Sequence, residues 1–586
     1  MAAFKTYFYL VAEAVIIVLL LLTSLGVGIF GYNKFRKLKH PKNDSALHGL
    51  HYAFLTFWMG SPLMIWISTG FNGIPWIAAW ILMALIWMAG FLTLFKKQPE
   101  YKNDKFKNHA VHYLLSLKEG ASKMGPTVVF IVFLVFAGFA FFITFFSYNF
   151  CVGLHPFRVT SEISRRMHGH SCPRGQVCNF ILTVPEDLST SIIVNFHTND
   201  QPDQLDSQFP TSFAFYDTVS RRTDQSDPIV PIKDFVNQYK YMSVATNFLM
   251  PNIKEEQRYV HWADVSGLSP DTTYFITAGY QLNNTLVFYQ ERKFRTAPAD
   301  GTPFRFMVGG DMGATKKGLR LSETAAEQEP LFVMVGGDVA YDSGFACCYR
   351  IWDEWFERWD KIFITPNNYT IPIITTIGNH ESTGWRTTKD DVQFYTRYLP
   401  FQLGLQNVDP QDRPQYHKHL IGNDTVIIAL DSDVVESIES QIPFLEATLN
   451  STAQRRFKLG LYHIALYPCT KISLDDDITA SAREHWSGIF DRYNLTVGFE
   501  NHYHLYKRTK QLRGGQQSET GTLYIGDGSW GVDTVLKVYD YDYLAKAGKI
   551  QHVMKGTISP FSSKISIESY NSDKIVFDSW NRTLLY

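Results

Sequence analysis

Charge is what this sequence has least of. Asp, Glu, Lys and Arg supply 19% of its 586 residues, where soluble domains carry about a quarter. The charge present nearly cancels, with 55 basic side chains against 56 acidic ones. Lacking a basic excess, the chain is not read first as a nucleic-acid-binding protein. Low net charge with 45% hydrophobic residues excludes a disordered one. Short repeats and low-complexity tracts are absent. Cysteine is scarce, six in all, and none precedes Cys151. At about 150 residues per domain the length allows three or four units.

What is present begins with long apolar runs. Residues 15–32 are uncharged, and so are residues 49–95. The longer stretch holds two helices of about 20 residues, the length that crosses roughly 30 Å of hydrocarbon, with a break at Asn72-Gly73-Ile74-Pro75. Residues 126–148 form a fourth run. Four such runs predict a membrane unit over residues 1–150 with four transmembrane helices. Glu13 at the head of the first run, with no small-residue cleavage site after it, argues for a retained span rather than a signal peptide. Basic residues gather in two loops, from Lys34 to Lys42 and from Lys96 to Lys123, which places those loops in the cytosol. Four spans then put everything after Tyr148 outside it, extracellular or luminal, at the plasma membrane or an endolysosomal-type compartment.

Cysteines and glycan acceptor motifs fit that side. Cys151, Cys172, Cys178, Cys347, Cys348 and Cys469 all follow the last run, where disulfides persist. Cys172 and Cys178 are expected to pair locally. One of the adjacent Cys347 and Cys348 is expected to reach Cys469. Acceptor sequons stand at Asn283, Asn368, Asn423, Asn450, Asn494 and Asn581. Asn43 lies in a sequon of a cytosolic loop and is expected to stay bare.

Residues 152–298 alternate β-branched and aromatic runs, such as Ser191–Phe196 and Thr273–Ala278, with Gly, Pro and Asp between them. They predict an all-β sandwich. Residues 296–303 read as a linker. From 303 to 586, continuous apolar runs each end in a polar tip: Gly309-Gly310-Asp311, Gly336-Gly337-Asp338, Gly378-Asn379-His380-Glu381, Tyr462-His463 and Asn501-His502-Tyr503-His504. Such runs are buried strands of an α/β domain, and ligands collect beyond strand ends. Carboxylates, imidazoles, an amide oxygen and the phenol of Tyr341 together make a set for one or two metal ions.

The ordered set resembles the calcineurin-like metallophosphoesterases of the purple acid phosphatase type. Their pattern is D-x-G, G-D-x-x-Y, G-N-H-D/E, V-x-x-H and G-H-x-H, met here by Asp311-Met312-Gly313, Gly337-Asp338-Val339-Ala340-Tyr341, Gly378-Asn379-His380-Glu381, Gly460–His463 and Asn501–His504. Gly460 and Asn501 depart from it. The resemblance covers about residues 180–580 and implies an all-β fibronectin-like sandwich and an α/β (αββα) metallophosphoesterase domain. With the four-helix transmembrane region read from the apolar runs, which lies outside the family, the expected fold class is multi-domain. It implies Fe(III) held by Asp311, Asp338, Tyr341 and His504. A second divalent ion (Fe, Zn or Mn) would be held by Asp338, Asn379, His463 and His502. The expected reaction is hydrolysis of a phosphate monoester by hydroxide at the dinuclear centre. His380 would aid the leaving group, with Glu381 orienting it from behind. His417, His419 and His485 are expected to be structural or at the rim, and Asp527 to lie in a loop near the pocket mouth. A phosphodiesterase on nucleotides or lipid head groups is the nearer rival, and a silent receptor or scaffold the other. A transporter subunit is disfavoured, because the runs hold almost no charge beyond Glu13. The expected partners are a phosphate ester, the bilayer and a second copy through the β module, not nucleic acid.

Overall fold

The computed structural model describes residues 172–584, apart from 204–210, 222–228, 232–237, 252, 254–256, 284, 314–315, 345–347, 472–475 and 535, together with Ile29 and Asn33. The expected spans, Cys151 and Cys347 therefore lie outside the described residues, Ile29 excepted. Among the described residues no helix is long and apolar enough to cross a membrane. The chain divides between His170 and Ser171.

The β-branched and aromatic runs upstream form nine strands. They are β1 (Cys178–Thr183), β2 (Ile192–Thr198), β3 (Ser212–Asp217), β4 (Ile229–Pro231), β5 (Tyr241–Leu249), β6 (Tyr259–Val265), β7 (Thr273–Leu282), β8 (Thr285–Phe288) and β9 (Arg292–Arg295). β5 belongs to both faces, pairing with β3 through its first half and β6 through its second. The expected linker is partly built in: Thr296 and Ala297 are buried, and the Ala297 N–H donates to Leu188 O.

The apolar runs downstream are strands too. β10 (Phe304–Gly309), β11 (Phe332–Gly336) and β12 (Ile373–Thr376) run parallel. In a second sheet β13 (His417–Ile421) pairs antiparallel with β14 (Thr425–Ala429). β14, β15 (Phe457–Leu461), β16 (Val497–Glu500) and β20 (Leu523–Gly526) run parallel there. β17 (Tyr506–Thr509) and β21 (Leu544–Gly548) extend it, and β18 (Leu512–Arg513) with β19 (Gln516–Gln517) makes a separate ribbon. β22 (His552–Ser559), β23 (Lys564–Asn571) and β24 (Val576–Thr583) close the other side of the first sheet, next to β10. The inner faces meet in one core, with Phe306, Phe332 and Met334 of the first sheet and Leu459, Val497, Phe499 and Ile525 of the second. Helices α1 (Lys316–Glu327) and α2 (Tyr349–Ile362) and the single turn α3 (Tyr395–Tyr398) precede the second sheet, while α4 (Ile442–Ser451) and α5 (Asp476–Tyr493) pack on its outer face through Leu445, Leu449, Trp486 and Phe490.

The two modules share a sheet. β1 pairs in parallel with β12 at Thr183 and Ile373, beside the bond from Val184 N–H to Ile373 O. A buried ion pair crosses the same boundary. Arg258, just before β6, sends Nη2 to Asp353 Oδ2 of α2 at 3.0 Å, and Asn179 Nδ2 of β1 donates to the other oxygen at 3.2 Å. The two charged side chains are 0% and 1% exposed.

Cys172 and Cys178 form the expected disulfide. Cys348 is also disulfide-bonded, but not to Cys469, which is a free buried thiol. That corrects the expected link. Cys469 Sγ lies inside the second sheet's side of the molecule, 3.5 Å from Asp527 Oδ2, while Cys348 heads α2 on the other side.

Removing one partner of a buried pair strands the other charge. Asp353→Ala is expected to lower stability by about 3–5 kcal/mol, and Arg258→Met with Asp353→Leu to recover most of it, read from chemical denaturation followed by tryptophan fluorescence. A pH effect is also expected. Burial lowers the His552 imidazole to about 4. The unfolded chain therefore takes up its proton first, and the contribution present above about pH 6.5 is lost as pH falls towards 4. The His552→Gln variant should show a shallower fall of stability over that window than the wild type.

Candidate metal centre

Every expected ligand stands just past the C-terminal end of a strand: Asp311 after β10, Asp338 and Tyr341 after β11, Asn379 after β12, His463 after β15, His502 and His504 after β16. Parallel strands bring those ends to one edge. The chain must turn sharply there, and it does so in left-handed backbone. Asp311, Asp338, Tyr341, His502 and His504 have φ of 55°, 51°, 67°, 85° and 55°. Each costs on the order of 1–3 kcal/mol, which the surrounding structure must offset. Part of the offset is a ladder between tips, in which Asp311, Met312 and Gly313 donate to the carbonyls of Gly337, Asp338 and Val339.

The side chains converge as two overlapping triads, Asp338 with His463 and His502, and Asp311 with Asp338 and His504. His504 Nε2 lies 3.0 Å from Asp311 Oδ1. His463 Nε2 lies 3.4 Å from Asp338 Oδ1 and 3.0 Å from Asn379 Oδ1. The Tyr341 hydroxyl is 3.4 Å from both Asp311 Oδ1 and His504 Nε2. His463 Nδ1 donates to Gly336 O at 2.8 Å, which leaves Nε2 as the coordinating nitrogen. Gly378 is obligatory, since a Cβ there would collide with the Asp338 backbone and carboxylate.

Two observations test whether cations fit. Asp338 Oδ2 is buried with no hydrogen-bond partner, a costly state for a carboxylate oxygen unless a cation meets it. The pocket is also strongly negative. Burial depresses the His463 imidazole, yet Asp338 and Asp311 outweigh it and carry it up to about 10. His504 is raised as well, with burial opposing and Asp311 prevailing. Burial, then Asp311 and Asp338, push the Tyr341 phenol well above its usual range, so it would ionise only against a highly charged cation. The residues present fit a dinuclear site.

Glu381 has a different task from the one expected. Its two oxygens accept the N–H groups of Asp338, Gly378 and Val339 at 2.8, 2.9 and 2.6 Å, with Ala340 at 3.4 Å. Those donors are backbone, so the carboxylate ties the Asp338 tip to the Asn379 tip rather than orienting the His380 ring. Burial, Asp338 and Asp342 raise it well above the usual range against those donors. His380 is set instead by the Tyr341 ring, 4.8 Å away and stacked, and by the Ser343 hydroxyl, 3.4 Å from Nδ1.

The departures from the motif are absorbed locally. The Asn501 side chain fills the space that Cβ atoms at Gly310 and Gly336 would take, and donates to Tyr462 O at 2.9 Å. The Tyr462 ring lies close over Gly460. His417 and His419 are buried and joined at 2.6 Å, away from the metal ligands. His485 lies on α5, bonded to Ser481 O. Asp527 is not at the mouth. It is 0% exposed behind the site, where burial raises it to about 7.

Sequence reasoning missed Trp385. Its ring stands 5.0 Å from that of His502 and 5.9 Å from that of His463. Gly384 and Arg386 flank it in left-handed backbone, and Arg386 is pinned to Asp433. The Gly384-Trp385 pair just after a ligand tip was the available signal.

Residues 177–296 match the family description "Purple acid Phosphatase, N-terminal domain". An uncharacterized protein of Mycobacterium tuberculosis is 24% identical over 293 residues, 45% of this chain and 53% of that one. Purple acid phosphatase 21 of Arabidopsis thaliana is 22% identical over 273 residues, 46% of this chain and 58% of that one. The chain thus spans a little over half the length of these relatives. The structure of purple acid phosphatase PPD1 from yellow lupin (Lupinus luteus) superposes with a TM-score of 0.55 at 16% identity, over 69% of this chain and 74% of that one. The fold is of the metallophosphoesterase type.

Glu381→Gln turns one acceptor into a donor facing backbone N–H groups. Metal affinity is expected to fall about 10–100-fold, read by elemental analysis across a chelator titration. Unchanged affinity would show that the two tips hold without it.

Proposed function

We propose that this chain is a membrane-anchored phosphoesterase that hydrolyses phosphate monoesters on the extracellular or luminal side. The observation that carries it is the pair of triads sharing Asp338, whose Oδ2 is buried without a hydrogen-bond partner. Asp311, Asp338, Tyr341 and His504 would hold Fe(III), and Asp338, Asn379, His463 and His502 a divalent Fe, Zn or Mn ion. When bound, such a pair neutralises phosphate charge and acidifies water, so that a nucleophile exists below neutral pH.

The chain's own groups do the rest. His380 is partly exposed at the site, and with Nδ1 turned to Ser343 it can present a proton on Nε2 to the departing ester oxygen. Tyr341 holds that ring in plane by stacking. Trp385 screens the imidazoles of His463 and His502 from bulk water. The support for anchoring is the four uncharged runs of residues 1–150 and the lysines between them. The domain boundaries proposed are 1–150, 152–298 and 303–586.

Assayed from pH 4 to 8, full-length protein in detergent should turn over an aryl phosphomonoester with its optimum on the acid side, and Asp338→Asn should abolish it. His380→Gln should lower kcat by about 10²–10⁴ with metals retained. Tyr341→Phe should lose any visible charge-transfer band while keeping its metal content. Preference for the matching diester would move the assignment to a phosphodiesterase. No turnover of either ester with both metals bound would make the chain a silent scaffold.

A further inference from the structure

The sequons of the catalytic module share one end of it. Asn368 precedes β12, Asn423 stands in the turn before β14, Asn450 closes α4 before β15, and Asn494 follows α5 before β16. These are the N-terminal ends of strands whose C-terminal ends carry Asn379, His463 and His502, and of the neighbouring β14. Asn581 reaches the same end through the ladder. It pairs with Ser566, which pairs with Thr557, which pairs with Arg305 at the start of β10. A five-residue strand separates its ends by about 16 Å.

All five asparagines are exposed. Their partner hydroxyl residues mostly are not, with Thr370, Thr425, Thr452 and Thr496 at 8, 0, 5 and 1% exposure. A sequon of that kind is legible to a transferase only before its strand closes, and the finished fold then leaves the asparagine facing solvent. Asn368 and Asn494 lie in left-handed backbone, at 62° and 55°, where asparagine is favoured for itself. Asn423, Asn450 and Asn581 have no such backbone reason. The sixth sequon, at Asn283, runs through residue 284, outside the described residues, and is not included.

We propose that Asn368, Asn423, Asn450, Asn494 and Asn581 carry N-linked glycans, which cover the pole opposite the metal centre and leave the catalytic pole bare. This rests on the extracytosolic placement proposed above. In each transfer the amide Nδ2 bonds to the anomeric carbon of a lipid-linked oligosaccharide, the lipid diphosphate leaves, and one amide proton is lost. The remaining N–H still allows Asn423 its bond to Ala299 O at 2.6 Å. The arrangement keeps sugar away from an ester approaching the strand tips. It also closes the base of both sheets to protein partners.

The test is site mapping on full-length protein from a secretory eukaryotic host, with an acceptor tag fused before Met1. Peptide N-glycosidase in heavy-oxygen water marks each occupied asparagine. Label is expected at all five positions and on the tag, with none at Asn43, and kcat/KM for the aryl phosphate should not change on deglycosylation. A labelled tag with any of the five unlabelled overturns the proposal and leaves the membrane orientation standing. Label at Asn43, with the tag and all five bare, overturns the orientation and the glycan proposal with it. A fall in kcat/KM on deglycosylation would overturn the separation of sugar from catalysis.

Discussion

The backbone N–H groups of Gly378, Asp338, Val339 and Ala340 converge on the carboxylate of Glu381, and the metal-ligand geometry depends on that convergence. Those groups belong to loops after two different strands. Without a common acceptor they would be buried donors with no partner, each costing on the order of 1–3 kcal/mol. With it, the Asp338 and Asn379 tips become one rigid unit, and Asp338 accepts a further N–H from His380 at 2.8 Å. A single side chain that touches no metal thus fixes the shared ligand of both triads.

The same economy governs the shape of the pocket. Five ligands stand in left-handed backbone without being glycine, while the glycines beside them leave room for a neighbour's carboxylate or amide. Gly528 admits Asp311 Oδ2, and Gly310 and Gly336 admit Asn501. Strain at the ligand and space at its neighbour are two parts of one solution: the side chains are aimed by a backbone that glycine alone would leave too loose.

Much of this was legible in the chain. The five polar tips named their ligands because a parallel sheet sends all its strand ends to one edge. The apolar runs gave the strands because both of their faces are covered. Less could be read where contacts are long-range. Glu381 beside His380 looked like its orienting partner, but three of its four bonds run to residues some forty positions away. Cys469 counted as a disulfide half because parity ignores which side of the molecule a thiol occupies. Asn501 read as a fault in the motif until the two glycines facing it came into view. Arg258 and Asp353, in segments of ordinary composition, gave no sign that they meet.

The shared strand pairing of β1 and β12 changes what the linker means. Residues 298–303 have the composition of a hinge, and Asp300 is exposed. Yet the segments on either side are joined by sheet, by a buried ion pair and by α2 packed on β1. A protease that cut at Asp300 would produce two fragments on a denaturing gel and one particle in solution. Limited digestion, the usual guide to where a protein can be divided, would here mark a boundary across which the fold is continuous.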